Sequence, residues 1–371
     1  MYSQPVGLVE AGRRTSKGAV HGVYLPGLAL ADFGRPVLFR HPELVRYRMT
    51  ETATTNLGPN VPWFESPFFE RELERSDLDE HTREQVAFFA QHGYLLLQPE
   101  IPDFDRLADE ITNALAEEHG TVANRVQDAW RYVPAVRELA TRPEVLGVLE
   151  SLYGRRPVPF QTLNFARGTQ QRTHSDLVHF NSLPQRYMAG VWFALEDVGP
   201  HNGALHYYPG SHRLAVYEPH DLGLHGSSVR SRETDYRRYE DFLARLIDDL
   251  GLHKETVRMR RGEAIIWSAN LLHGGNPIED PKSTRRSQVT HCYFEGCRYY
   301  TPLYSDPPLG RYDWTRVINV TTGEEQPHVY NGERVRLPAR TRARYAVEGR
   351  LKESETGRRL FRRVKQALRS R

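Results

Sequence analysis

The chain has 371 residues, of which 39% are hydrophobic and 26% are charged, and its formal net charge is +3. These proportions are ordinary for a soluble globular protein, and the length allows one large domain with extensions or two domains. Two cysteines, Cys292 and Cys297, are too few for a disulfide framework, and no run approaches the ~18 apolar residues of a membrane span. Because the first residues lack a basic segment followed by an apolar core, we expect no secretory signal and a cytoplasmic location.

Charge is distributed unevenly along the chain. Residues 336–371 contain thirteen Lys or Arg and three Glu, a surplus of ten positive charges, so the other 335 residues carry about seven negative charges. A body of that charge argues against nucleic acid as a partner. Residues 355–370 are predicted to form a basic helix with an apolar stripe, which can dock on the body, on a second subunit or on an anionic surface.

The first 66 residues contain recurrent Gly and Pro and show no helical period. We interpret residues 1–66 as an irregular N-terminal extension that packs across the main domain or lines its entrance, and a poorly ordered leader is the alternative. Residues 67–300 are predicted to form the main domain. Residues 301–371 are then a C-terminal extension that includes the basic helix.

The main domain is predicted to be helical as far as about residue 155. One helix begins near Ser76–Glu80, which supply a capping residue and an acidic first turn, and it ends at Gly93. A buried strand follows at 94–97. Further helices are expected at 103–119, 133–139 and 143–153.

From residue 159 to residue 297 the pattern becomes one of short strands. Their aromatic and β-branched residues favour strands around His174 and at 159–166, 187–196, 204–208, 255–259, 263–267 and 286–294. One helical insertion is predicted at 236–250. Helices followed by many strands indicate an α+β protein with a mainly β core, built as an antiparallel sandwich or barrel.

Two residues in the strand-rich region have the spacing of metal ligands. His174 and Asp176 are two apart, so a β-strand would place both side chains on one face. With His273 from a distant strand they would give two imidazoles and one carboxylate, which leaves open positions on the metal as in non-haem Fe(II) oxygenases. A closed structural zinc site is the alternative, but it normally uses four protein ligands, commonly including cysteine, and no cysteine is near these residues in sequence.

Five blocks of sequence surround these residues in a specific order. They are HSDLVHF (174–180), VWFALED (191–197), NGAL (202–205), PGSHR (209–213) and WSANLLHGGN (267–276). In these blocks the chain resembles the phytanoyl-CoA dioxygenase family over roughly residues 85–297. The resemblance implies a double-stranded β-helix (a cupin-like jelly roll) flanked by helices, with Fe(II), 2-oxoglutarate as co-substrate and O₂. It also implies that His174, Asp176 and His273 are the iron ligands.

The family also binds the distal carboxylate of 2-oxoglutarate through an arginine, whose fork suits a carboxylate. The resemblance places that arginine a little over ten residues after His273, and the register of the strand favours Arg286, with Arg285 as the alternative. Asn164 resembles a position that helps to bind the co-substrate in relatives. It can instead be satisfying backbone groups on its strand.

Four further residues are candidates for the substrate pocket. His179 and Phe180 closely follow the metal-ligand motif, and an aromatic residue often lies near this place in relatives. Trp192 on a core strand and Trp130 before a pair of helices can contact substrate, although core packing is the alternative for both. Five histidines of the 200–255 region show no ligand spacing, and we interpret them as surface or loop residues: His201, His206, His220, His225 and His253.

The expected reaction is oxidation of a C–H bond in a small molecule. Related iron halogenases replace the carboxylate ligand with a small residue, so Asp176 favours hydroxylation, ring formation or desaturation. The wording of the motifs suggests a sugar-containing or other specialised metabolite as substrate. The alternatives are a non-catalytic jelly-roll binding protein and an oxygenase that acts on a macromolecule.

Overall fold

Helices come first along the chain and strands follow, as predicted. The computed structural model describes residues 38–40, 60–119, 125–225 and 232–353, and these residues belong to one unit that begins at Val37. The described helices are α1 Phe69–Glu74, α2 Glu80–His92, α3 Phe104–His119, α4 Pro134–Ala140, α5 Pro143–Tyr153, α6 Arg232–Leu250 and α7 Ala339–Glu353.

The helix boundaries follow local chemistry. The side chain of Asp79 caps α2 by accepting a hydrogen bond from the backbone N–H of Thr82 at 2.9 Å. Gly93 ends the same helix with φ of 78°, a left-handed conformation that glycine adopts without steric cost. α5 begins at Pro143 and ends at Tyr153, with Gly154 as its left-handed C-cap, so the prediction for both helices is confirmed.

The described strands form two main sheets and two short pairs. They are β1 Leu38–Arg40, β2 Tyr94–Gln98, β3 Val126–Gln127, β4 Pro157–Phe165, β5 Asn181–Leu183, β6 Met188–Ala194, β7 Leu205–Tyr207, β8 Glu255–Thr256, β9 Ala264–Ser268, β10 His273–Gly275, β11 Ser287–Phe294, β12 Arg298–Tyr300, β13 Val329–Tyr330 and β14 Glu333–Arg334. The large sheet has the order β1-β2-β9-β6-β11-β4-β3, and the small sheet has the order β10-β7-β8.

Eight antiparallel segments of these sheets make a jelly roll. β9, β6, β11 and β4 are neighbours in the large sheet. The small sheet contributes β8, β7 and β10, and an antiparallel bridge between His174 and His273 adds a fourth segment beside β10. The protein is therefore α+β with a double-stranded β-helix core, as predicted, and helices flank it.

The large sheet is buried on both faces. In β9, Ile265 and Trp267 point between the two sheets, while Ala264 and Ile266 point towards the helices, as the period of two requires. The inter-sheet cluster is completed by Leu163, Trp192, Val289, Leu205, Tyr207 and Val257, among others. The helix-side cluster joins the outer face to residues of α2 to α5, such as Phe89, Leu107, Val136 and Leu149.

Helix α6 is the predicted insertion, and it lies between β7 and β8 in the chain. Its residues Tyr239, Leu243 and Ile247 pack in a separate apolar cluster with Val178 and Leu272. Val178 closely follows the metal-ligand motif, and Leu272 directly precedes His273. α6 therefore covers the side of the jelly roll where the candidate ligands lie.

The two ends of the chain are described only in part. Phe64 is 4% exposed and packs in the helix-side cluster, and β1 pairs in parallel with β2. At the other end, Arg137 donates to the Val320 carbonyl at 2.9 Å, and Arg344 of α7 pairs with Asp313 at 2.6 Å. The basic helix predicted at 355–370 lies outside the described residues, and the domain boundaries after residues 66 and 300 stay predictions.

None of the helices that the structure describes combines the length and the apolar character needed to cross a lipid bilayer.

Candidate metal centre

Three side chains converge where the small sheet meets the loop before β5. His174 Nε2 lies 3.7 Å from Asp176 Oδ1, and His273 Nε2 lies 3.8 Å from Asp176 Oδ2. One donor atom from each residue falls within 4.8 Å of the others, and all three residues are buried. The three side chains singled out in the sequence therefore lie together, and their role as iron ligands stays a prediction.

The backbone brings the two histidines together. His174 N donates to His273 O at 2.9 Å, and His273 N donates to His174 O at 3.0 Å. Asp176 is not part of this ladder, because it begins a 3-10 turn in which the Ser175 hydroxyl accepts from the backbone N–H of Leu177. Ser175 itself is extended, with φ of −105° and ψ of 137°. The expected strand therefore covers His174 alone, yet the extended residue between the ligands keeps both side chains on one side.

Backbone carbonyls fix the tautomer of both imidazoles. His174 Nδ1 lies 2.9 Å from Arg172 O, and His273 Nδ1 lies 2.9 Å from Leu271 O. A carbonyl only accepts, so each Nδ1 carries the proton and each Nε2 keeps its lone pair. The amide nitrogen of Gln171 donates to that lone pair of His174 at 3.2 Å. His273 Nε2 is thus prepared to bind a metal, and a metal at His174 Nε2 would take the place of the hydrogen bond from Gln171.

The charges of the three groups suit a divalent metal. Burial lowers the pKa of His273 to about 4, so this imidazole is neutral at neutral pH. Burial alone would raise the pKa of Asp176, but His273, with His174 and His291, lowers it well below its usual range. Two neutral nitrogens and one anionic oxygen fit Fe(II) and leave coordination positions open. A closed zinc site with cysteine is not built here, because Cys292 and Cys297 pack in the helix-side cluster.

Arg285 and Arg286 differ sharply in environment. Arg286 is exposed and pairs with Glu196, with its Nε 3.7 Å from Oε2. Arg285 is 4% exposed, donates to the Gly203 carbonyl at 2.8 Å and lies against the ring of Trp192 in the inter-sheet cluster. The strand register used in the sequence prediction, which favoured Arg286, is therefore wrong by one residue. A shift of one residue moves a side chain to the opposite face of a strand, so Arg285 and not Arg286 faces the interior.

Arg285 also lacks an anion among the described residues. Its Nε is buried without a hydrogen-bond partner there, and burial lowers its pKa to about 10. A buried cation is normally paired. A carboxylate brought by a ligand would satisfy it, so the residues present fit 2-oxoglutarate.

Asn164 lies on the other face of the large sheet. Its amide donates to Gln288 Oε1 at 3.0 Å, and Gln288 in turn donates to the Val136 carbonyl on α4. This pair faces the helices and not the space between the sheets. The expectation that Asn164 contacts the co-substrate is corrected accordingly, and Gln161 is the β4 residue that reaches the site, through a hydrogen bond to His291 at 2.9 Å.

Of the four substrate candidates, His179 lies beside the ligand His174, and Phe180 lies beside His291, a neighbour of Asp176. The ring of His179 is 6.5 Å from that of His174, and the ring of Phe180 is 5.0 Å from that of His291. Trp192 packs between the sheets, beneath Arg285. Trp130 belongs to the helix-side cluster, behind the large sheet. Core packing, the alternative interpretation, thus describes Trp130.

The sequence interpretation missed several residues of the site. His291 Nε2 lies 3.8 Å from Asp176 Oδ2, and Trp267 Nε1 donates to the same oxygen at 2.8 Å. His206, interpreted as a surface or loop residue, is 7% exposed and lies 2.8 Å from Thr173 Oγ1. A period of two counted in both directions from the buried apolar Val289 of β11 would have placed Arg285, four residues earlier, and His291, two residues later, on the inner face.

A triad of this kind leaves coordination positions open on a bound metal. The same jelly roll holds a buried cation, Arg285, that has no anion among the described residues. These two features define a class of protein. That class is the oxygenases that use Fe(II) and 2-oxoglutarate.

Comparisons with known proteins agree. The sequence profile of the family described as Phytanoyl-CoA dioxygenase (PhyH) matches residues 89–287, which is more than half of the chain. The human peroxisomal phytanoyl-CoA dioxygenase is 22% identical over 247 residues, covering 59% of this chain and 70% of that protein. A mouse phytanoyl-CoA dioxygenase domain-containing protein 1 is 29% identical over 99 residues, and this match covers 24% of the chain and 34% of the mouse protein.

Solved structures similar to this chain include a non-haem α-ketoglutarate-dependent carbocyclase, SnoK, from nogalamycin biosynthesis. It has a TM-score of 0.49 and 19% identity, with 60% of this chain and 87% of that chain covered. EctD from S. alaskensis with bound Fe has a TM-score of 0.45 and 21% identity, with 59% and 79% covered.

The chain belongs to the phytanoyl-CoA dioxygenase family. It is accordingly an enzyme, a dioxygenase whose cofactors are Fe(II), 2-oxoglutarate and O₂. The alternative of a non-catalytic jelly-roll protein is not retained.

Proposed function

We propose that this enzyme oxidises a C–H bond of a small molecule, most simply by hydroxylation. The observation that carries the proposal is the buried triad of His174, Asp176 and His273, with its donor atoms within 4.8 Å of one another. A carboxylate ligand in this place favours hydroxylation, ring formation or desaturation over halogenation. Once bound, the iron would activate O₂, whose four-electron reduction takes two electrons from the conversion of 2-oxoglutarate to succinate and CO₂ and two from the C–H bond that is oxidised.

The protein side chains have separate roles in this proposal. His174, Asp176 and His273 hold the metal. Arg285 binds the distal carboxylate of 2-oxoglutarate from the inner face of the jelly roll, where its guanidinium has no other anion among the described residues. Apolar side chains of the inter-sheet cluster, including Trp192, exclude water around that ion pair, and low local polarity strengthens such a pair.

Neutral and aromatic groups line the outer side of the triad. The ring of Tyr236 from α6 lies 5.1 Å from that of His179, and Phe160 lies 5.3 Å from Phe180. Burial lowers the pKa of His179 to about 3, so this imidazole is a neutral hydrogen-bonding group. Such a lining suits a substrate that combines a ring or aliphatic frame with hydroxyl groups, and this supports a sugar-containing or other specialised metabolite.

The cytoplasmic location also stays a proposal. It is supported by the two free thiols, Cys292 and Cys297, both of which are buried and unpaired with each other.

Metal binding is the direct test of the proposal. His174→Ala and Asp176→Ala should each weaken binding of Fe(II), or of Co(II) as a stable substitute, by more than about 100-fold, since removing even a supporting partner of a ligand costs 10–100-fold. Calorimetric titration without oxygen measures the affinity, and succinate formation from 2-oxoglutarate measures turnover. His201→Gln, at an exposed histidine, is the control. Full succinate formation by either ligand variant would contradict the assignment.

A further inference from the structure

One hydrogen bond in the candidate metal centre is donated to Asp176, a proposed metal ligand, by a residue that is not itself a ligand. The indole Nε1 of Trp267 donates to Asp176 Oδ2 at 2.8 Å, and both residues are buried, at 2% and 4% exposure. The same indole ring lies 4.9 Å from the ring of His273. Trp267 thus contacts two of the three ligands while offering no atom that could bind a metal.

A glycine makes room for this tryptophan. Gly190 of β6 is the direct partner of Trp267 in the large sheet. A Cβ atom at Gly190 would lie 2.2 Å from Trp267 Cε2 and 2.7 Å from Nε1, so any side chain there would move the indole. Gly190 is not among the glycines with positive φ. Glycine at position 190 therefore provides the space that the indole of Trp267 occupies.

The neighbouring histidine cannot replace the indole as a donor. His291 Nδ1 lies 2.9 Å from Gln161 Oε1, an oxygen that only accepts, so this nitrogen carries the proton. His291 Nε2, which is 3.8 Å from Asp176 Oδ2, then holds a lone pair. Two acceptors repel each other at this distance, and this leaves the indole N–H as the group that holds Oδ2.

We propose that Trp267 is a positioning residue that keeps Asp176 a monodentate ligand, with Oδ2 held by the indole and Oδ1 left for the metal. The proposal rests on the iron site described above. A six-coordinate metal with three single protein donors has three open positions, enough for a bidentate 2-oxo acid and O₂. A carboxylate that bound through both oxygens would occupy one of these positions. The indole bond prevents that by engaging the second oxygen.

Trp267→Phe is the first test, because it removes the N–H and keeps an aromatic ring. We expect the dissociation constant of 2-oxoglutarate from the anaerobic protein loaded with Co(II) or Fe(II) to rise by about 10- to 100-fold, because a carboxylate that binds through both oxygens takes a position that the 2-oxo acid needs. The visible charge-transfer absorption of the anaerobic complex with Fe(II) and 2-oxoglutarate should also shift or weaken, since the carboxylate is free to bind through both oxygens. In steady-state assays, the KM for 2-oxoglutarate should rise more than kcat falls.

Two matched variants separate the hydrogen bond from packing. Trp130→Phe is the control for loss of an indole N–H, because Trp130 Nε1 is buried and meets no acceptor among the described residues. Replacing Trp267 with 3-benzothienylalanine keeps the shape of the indole and substitutes sulfur for N–H. This analogue tests the hydrogen bond even where Trp267→Phe fails to fold.

The outcomes are distinct. Weakened binding of 2-oxoglutarate to the metal-loaded benzothienyl variant, with Trp130→Phe close to wild type, supports the positioning role. An affinity for 2-oxoglutarate and a charge-transfer absorption within about twofold of wild type in the benzothienyl variant would overturn it. Failure of the wild-type protein itself to bind Co(II) or Fe(II) would instead overturn the proposed function, and the positioning role with it.

Discussion

Arg285 and Arg286 are adjacent in the chain and have opposite electrostatic surroundings. Arg286 forms an ion pair with Glu196 at the protein surface, and a surface pair of this kind contributes about 0–1 kcal/mol to the free energy of unfolding. Arg285 is enclosed by apolar side chains, and its charge is unpaired among the described residues. A ligand carboxylate that reaches Arg285 gains from the same low polarity that makes the isolated cation costly.

We predict that Arg285→Gln raises the KM for 2-oxoglutarate by about 10- to 100-fold, the loss expected for a buried charge-assisted hydrogen bond. Metal affinity should change little, because the hydrogen bond of Arg285 goes to the Gly203 carbonyl and not to one of the three metal-ligand residues. Arg286→Gln is the matched control and should leave the KM within about twofold. Succinate formation as a function of 2-oxoglutarate concentration measures both. An equal or larger effect at Arg286 would restore the register favoured by the sequence.

The metal ligands could be predicted from residue types and spacing, but the supporting residues could not. His174, Asp176 and His273 were found because ligand chemistry restricts the residue types. Asn164 was misplaced because β4 is buried on both faces, so its sequence has no polar–apolar alternation that marks the inner side. A β-bulge between His291 and Cys292 shifts the pairing of β11 with β4 as well, and such a shift has no signature in composition.

At the scale of elements, Arg172 connects the insertion helix to a metal ligand. Its carbonyl accepts from His174 Nδ1, and its guanidinium pairs with Glu240 at 3.2 Å and with Asp241 at 2.6 Å, both on α6. Burial raises the pKa of Glu240, and the charge of Arg172 opposes that rise. One residue therefore ties α6 to the segment that presents His174.

We predict that Arg172→Gln loosens α6 locally. Amide hydrogen exchange in residues 236–245 should increase, because both ion pairs that hold this part of the helix are lost. The free energy of unfolding should change by less than about 1 kcal/mol, since the Arg172 side chain is half exposed. Arg316→Gln, which breaks a surface pair with Glu325, is the control. Unchanged exchange in α6 would show that its apolar face alone fixes it.

Element types were predictable where periodicity or turn chemistry was strong. α2 and α5 have clear caps, and β6 and β11 have aromatic and β-branched runs, so their places agree with the structure. The strand expected around His174 is reduced to a bridge, because the 3-10 turn at Asp176 interrupts it. Pairing order was not readable, since neighbours such as β4 and β11 are far apart in sequence.

For the whole molecule, buried neutral histidines link folding to pH. Burial lowers the pKa of His212 to about 3 and that of His328 to about 4, from an ordinary value of 6.5. His328 donates to the Thr315 carbonyl through Nε2 and accepts from the Tyr299 N–H through Nδ1, so its neutral form is required. The unfolded chain therefore binds more protons than the folded protein between about pH 6.5 and pH 4.

The free energy of unfolding should consequently be highest above pH 6.5 and should fall as the pH drops towards 4. Each such histidine contributes a slope of about 1.4 kcal/mol per pH unit. His328→Gln should reduce the total slope by about that amount, and His201→Gln, at an exposed position, should not. Urea unfolding of the metal-free protein at pH 5 and pH 6 measures the slope. An unchanged slope for His328→Gln would contradict the prediction.

The fold class was predictable because helices precede strands in the sequence, and that order restricts the architecture. The two-sheet arrangement and the family resemblance led to the same jelly roll. The distribution of charge was predictable as well, but the contacts of the basic helix at 355–370 lie outside the described residues.

The backbone bridge between His174 and His273 has a consequence for how this enzyme can diversify. The two ligands are 99 positions apart, and their reciprocal hydrogen bonds close the intervening chain into a loop whose ends are fixed. Segments within that loop, α6 above all, can change in length or sequence without changing the distance between the ligands, because lengthening a closed loop costs little. Because Tyr236 of α6 lies beside His179 in the proposed substrate lining, α6 is the element to exchange when a new specificity is sought.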